Sequence, residues 1–143
     1  MSYITKQGLI DRFGATELIQ LTDRANRPPT TIDDVVVNRA IGDAAAEIDS
    51  YLAKVYSLPI AVVPAVLERK AADIARYFLH GKSADKDGPV AIAYRDAIAW
   101  LRDIARGLVE IDTGGDKPAQ AGGGSVKASA PNRVFTRESM GGM

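Results

Sequence analysis

The chemistry open to this chain is bounded first by what its titratable residues can do together. It has one histidine, His80, and no cysteine, which rules out thiolate metal sites, cysteine nucleophiles and disulfides. His80 stands just before Gly81 at the end of a helical pattern. There an imidazole complements the helix dipole or caps the last carbonyls, whereas a triad or a metal site needs a set of partners that no spacing here supplies. Asp43 and Glu47, four positions apart on one helix face, lack a third ligand and read as a solvated face. Asp33-Asp34 reads as a helix start. Gly122–Gly124 and the GGDKP run at 114–118 have neither the preceding strand nor the following helix of a phosphate loop. The expectation is a chain with no catalytic residues, no metal and no cofactor, and so not an enzyme.

The residues suited to recognition lie elsewhere. In YRDAIAWLRDIARG (94–107), Arg95, Arg102 and Arg106 flank one helix, with Asp96 and Asp103 between them. Two readings stay open: a salt-bridged solvent face, or a subunit interface in which the planar arginine forks bind carboxylates. Trp100 falls beside this arginine face, off the apolar stripe, as an interface anchor or as cover for the bundle's edge. On this reading Trp100, Arg102 and Arg106 are the candidate ring contacts. Near the C-terminus, NRVFTRESMGGM sets Val134, Phe135 and Met140 among Arg133, Arg137 and Glu138, and Val134–Thr136 could add as a strand to a partner's sheet. Val134, Phe135, Arg137 and Met140 are the candidate contacts of an arm.

These residues must be carried by elements, and the apolar spacing predicts helices. Thr5 can cap a short helix that Gly14 ends with a left-handed residue. A second short helix covers Ala15–Thr22. Asp23–Thr31 (DRANRPPTT) is a loop, because adjacent prolines forbid a helix. Asp33 caps a run with Val37, Ile41, Ala45, Ile48, Leu52 and Val55 on one face, ending near Ser57. Leu58–Pro64 is expected to be a buried crossover connection. A further helix spans Ala65–Leu79, closed by Gly81. Lys82–Gly88 is an exposed loop, Pro89 opens the last helix, and its stripe is Val90, Tyr94, Ala97, Leu101, Ile104 and Leu108. The fold class expected is all-α: a small bundle of three longer helices plus short N-terminal ones, followed by an extended C-terminal arm. The domain boundaries are 1–112 for the bundle and 113–143 for the arm.

Composition narrows the function classes. Eighteen basic residues balance eighteen acidic ones in 143 residues, which argues against a general nucleic-acid binder. No apolar run reaches the length of a membrane span, and MSYITKQGLIDRF lacks a signal-peptide pattern, so synthesis in the cytoplasm is expected. Residues 113–143 are rich in Gly, Ala, Ser and Pro, with one aromatic. Such a segment buries too little apolar surface to offset its ordering entropy alone, and should take shape against partners. Its net charge of +2 is too small to argue for DNA.

Taken together, YITKQGLIDRFGATELIQLTD, IDSYLAKVYSLPI, VPAVLERKAADIARYFL and YRDAIAWLRDIARG resemble a family of Mu-like phage proteins over about residues 3–110, and the closing FTRESM is similar too. Lys54-Val55-Tyr56 departs from that pattern, where an arginine often precedes the tyrosine. The resemblance implies a head–tail connector of the adaptor type, made in the host cytoplasm and located in the virion at the head–tail junction. It implies a homo-oligomeric ring, a dodecamer matching the portal protein, that contacts a stopper or tail-completion protein and lets DNA pass through its channel without sequence-specific binding or a membrane. The alternatives are a stopper or tail-completion protein, a helical DNA-binding regulator, or an enzyme of unknown type.

Overall fold

Helix starts and stops follow the local chemistry. In a computed structural model, which describes residues 2–115, Thr5 accepts the Gly8 N–H at the start of α1 (Lys6–Phe13). Gly14 separates α1 from α2 (Ala15–Thr22) with φ +87°, which glycine takes without strain. Its ψ of 149° lies outside the left-handed helical region expected for it. Asp33 caps α3 (Asp34–Leu52) by accepting the Val35 and Val36 N–H groups. α4 spans Ala65–His80, and a 3₁₀ turn at Gly81–Ser83 follows it. Pro89 stands in the first turn of α5 (Pro89–Ala105). The described residues contain five α-helices and no strand.

α3, α4 and α5 pack against one another as a three-helix bundle. Leu52, Ile48, Leu67, Ile74, Leu101 and Ile104 are fully buried between them. Buried alanines on each helix, Ala44, Ala71, Ala72, Ala75 and Ala97 among them, allow close approach. α1 and α2 are too short to hold as isolated helices. They dock on the α3–α4 pair through the buried Leu9 and Leu18. Polar ties reinforce this: the Tyr3 hydroxyl donates to Asp49, Lys6 pairs with Asp34, and Arg12 lies 3.4 Å from Glu68. Burial, and then the Asp49 carboxylate, hold the Tyr3 hydroxyl well above its ordinary pKa.

Three expectations need correction. α3 ends at Leu52, short of Ser57, and the Val55 and Tyr56 amides turn back onto the Leu52 carbonyl. Leu58–Pro64 is not a buried crossover: only Ile60 is buried, and Leu58, Ala61 and Val62 are exposed. Pro59 and Pro64 keep the segment irregular, and it turns one side chain, Ile60, into the bundle. Leu108 leaves the α5 stripe, 72% exposed, because the helix stops at Ala105 and Gly107 takes φ +80°.

Beyond α5 the chain returns across the bundle. The Tyr56 hydroxyl accepts the Ile111 N–H at 3.0 Å and donates to the Ile111 carbonyl at 3.3 Å. The Val62 N–H donates to the Thr113 carbonyl at 2.9 Å. Gly114, at φ +70°, lies so close to Val62 that a Cβ would sit 2.6 Å from its Cγ2.

Candidate assembly interface

α3 and α5 leave an open groove between them. Glu47 and Tyr51 come from α3, and Tyr94, Arg95, Ile98 and Arg102 from α5, around a volume of about 420 Å³. Steps of three and four place these residues on the facing sides of their helices. Ile98 is buried in the floor, whereas Arg95 and Arg102 are exposed on one wall. Tyr94 stacks on Tyr77 of α4, with ring centroids 4.1 Å apart and planes within 9°, and Phe78 is tilted against both. This packing fixes the aromatic floor. Burial raises the Tyr94 hydroxyl pKa, and the Glu47 charge raises it further, so the phenol stays neutral at ordinary pH.

Glu47 also borders a second depression of about 550 Å³, with Asp43, Ala46, Ser50 and Phe78. Glu47, on the α3 face that the sequence marks as solvated, therefore borders two hollows. Of the groove's side chains, the tyrosines and arginines are of the types enriched in protein interfaces, whereas the Glu47 carboxylate is of a type depleted there.

The candidate ring contacts divide. Trp100 is half-buried and packs against the core, while Arg102 and Arg106 are exposed. The ion-pair ladder that YRDAIAWLRDIARG allowed does not form among the described residues. Arg95 donates to the Lys86 carbonyl at 3.1 Å, and Arg102 and Arg106 meet no carboxylate there. The arm residues Val134, Phe135, Arg137 and Met140 lie outside the described residues.

Among the described residues, His80 joins a polar cluster on the seam between α2 and α4. Its Nε2 lies 3.4 Å from Glu17 Oε1, which Arg76 grips at 2.6 Å while its guanidinium covers the Phe13 ring at 4.4 Å. This cluster ties α2 to α4. Among the described residues no group of three or more His, Cys, Asp or Glu could hold a metal ion, and no helix is long and apolar enough to cross a membrane.

Sequence reasoning missed the order within Asp23–Thr31. The Asp23 carboxylate accepts the backbone N–H groups of Ala25, Asn26, Thr30 and Thr31, plus the Asn26 side-chain amide. These bonds, that from Thr30 foremost, hold its pKa far below the usual carboxylate range. The available signal was an aspartate opening a polar, proline-bearing turn. The loop it organises presents Arg24 and Arg27 to solvent.

Two proteins similar to this chain come from phage Mu and from a Mu-like prophage. "Gene product J" of Escherichia phage Mu is 33% identical over 147 residues, covering 99% of each chain. "Mu-like prophage FluMu protein gp36" of Haemophilus influenzae is 33% identical over 129 residues, covering 90% of this chain and 89% of the relative. The family model described as Bacteriophage Mu, Gp36 matches residues 3–128, from just before α1 to beyond the end of the bundle, and the chain belongs to that family.

Proposed function

We propose that this chain is a structural virion protein, a head–tail connector of the adaptor type. In this reading, copies form a ring, a dodecamer, between the portal protein and the stopper or tail-completion protein, and DNA passes through the channel without sequence-specific contacts. The observation that carries the reading is membership of the phage Mu Gp36 family across the whole bundle. Two features support it: an all-α bundle whose polar clusters tie helix to helix, and an aromatic groove with the exposed arginines Arg95 and Arg102 along one side. Residues 1–112 act as the ring-forming body and 113–143 as the arm, and the protein carries no catalytic activity. The test is a phage lacking this gene. The reading expects full heads and finished tails that fail to join, restored by the gene in trans. Normal joined particles from the deletion would refute it.

A further inference from the structure

The segment after α5 is fastened to the bundle differently from the helices. It starts at Gly107, φ +80°, and runs to Gly114, φ +70°, so each end is a residue that turns the chain through positive φ without a side-chain clash. Between them burial alternates. Leu108, Glu110 and Asp112 are exposed, Val109 and Ile111 are half-buried against the core, and Thr113 is buried. That is the pattern of an extended chain lying with one side down. Hydrogen bonds tie this side to the connection before α4, at the Tyr56 hydroxyl for Ile111 and at the Val62 N–H for the Thr113 carbonyl. At the Gly107 end the Leu108 N–H turns back onto the Asp103 carbonyl of α5. Half-buried side chains thus hold the segment, whereas α3, α4 and α5 share fully buried leucines and isoleucines. Segments with few buried apolar contacts open at a lower free energy than the packed core. We propose that residues 108–113 are a strap that opens as one unit from the 56–62 connection, turning at Gly107, while the helical bundle stays folded.

Ile111 and Thr113 stand two positions apart on the same side of this short segment, so the bonds at Tyr56 and Val62 break together when it lifts. Opening then frees the Tyr56 hydroxyl and the Val62 N–H, in the stretch that already exposes Leu58, Val62 and Val66. The open form therefore presents more apolar and hydrogen-bonding surface at this end of the bundle than the closed one. Opening also moves the point from which the chain beyond residue 113 departs. Closed, that point is beside Val62, fixed by the close approach of Gly114; open, it is the end of α5.

Native-state hydrogen exchange of the full chain, followed by NMR, tests this. The Ile111 amide lies on the strap and the Val62 amide on the connection it covers, so one opening event exposes both. Corrected for intrinsic rates, the two should exchange within about three-fold of each other and at least about ten-fold faster than the buried mid-helix Ile48 and Leu101 amides. Exchange of both at the core rate, a larger disparity between the two, or no protection at either overturns the proposal. A second measurement asks whether the side chains part as well. The chain has no cysteine, so Thr113→Cys places a single thiol at a buried position of the strap. Its labelling by a disulfide reagent, relative to the urea-unfolded chain, should show the same opening as the Ile111 and Val62 amides of that variant. A thiol that reacts as slowly as the core amides exchange, or as fast as in the unfolded chain, counts against the proposal. The outcome does not depend on whether the chain forms a connector.

Discussion

Replacing Tyr56 with Phe removes one hydroxyl and keeps the ring. That hydroxyl accepts the Ile111 N–H and donates to the Ile111 carbonyl. It is a side-chain tie between the chain after α5 and the bundle. Tyr56 is buried and Ile111 half-buried. An ordinary hydrogen bond nets about 1 kcal/mol, and a buried backbone group left unpaired costs about 1–3 kcal/mol. The partial exposure of Ile111 lets water satisfy part of the loss, so Tyr56→Phe should cost about 1–2 kcal/mol. For the described domain, residues 2–115, an unfolding entropy of about 2.1 cal/mol/K per residue converts this to a fall in Tm of about 4–8 °C. Thermal denaturation followed by circular dichroism reads the first quantity. Hydrogen exchange reads the second: the Ile111 and Val62 amides should exchange about five- to thirty-fold faster, because Val62 bonds to Thr113 just beyond the tie. An unchanged Tm together with unchanged protection at both amides would refute the idea that Tyr56 fixes the root of the arm.

Other outcomes follow from the same structure. Leu101→Ala, at a fully buried site between the three long helices, should cost about 2–5 kcal/mol in denaturant unfolding, and a cost under 1 kcal/mol would mean that the core is packed differently. Gly114→Ala should displace the 113–114 backbone from Val62, since its Cβ would overlap Val62 and φ is +70°; loss of Val62 amide protection without a large drop in Tm is the expected signature. Asp23→Ala should speed exchange at the Ala25, Asn26, Thr30 and Thr31 amides. The Asp23 pKa is lower folded than unfolded, so its stabilising effect is complete above the usual carboxylate range and is lost as pH falls toward its folded value. NMR titration should therefore show the loop amides of the wild-type chain unshifted at pH values where exposed aspartates have already protonated; coincident titration would contradict the bonding.

The sequence made the helices legible because their signals are local. The three- and four-residue steps of apolar residues, the caps at Thr5 and Asp33, and Pro89 at the start of α5 each act within a turn or two. The misreadings were tertiary. Leu108 continues the stripe of α5 in sequence, but the helix ends before it and the residue turns to solvent. The apolar letters of Leu58–Pro64 suggested burial, yet an irregular connection can bury only the side chains that happen to face the bundle, here Ile60. The groove was visible only in pieces. Arg95 and Arg102 stood out as an arginine face, and Glu47 as a solvated carboxylate, but nothing in the spacing showed that α3 sets Glu47 and Tyr51 opposite them. Tyr94 counted as core by its period, whereas stacking on Tyr77 leaves it half-buried as the groove's floor.

Cryo-electron microscopy of purified particles, focused on the junction of capsid and tail, tests the connector reading most directly. The account predicts a closed ring of five-helix bundles of this chain seated against the portal. A junction built of other proteins, with this chain missing from the particle, would contradict it.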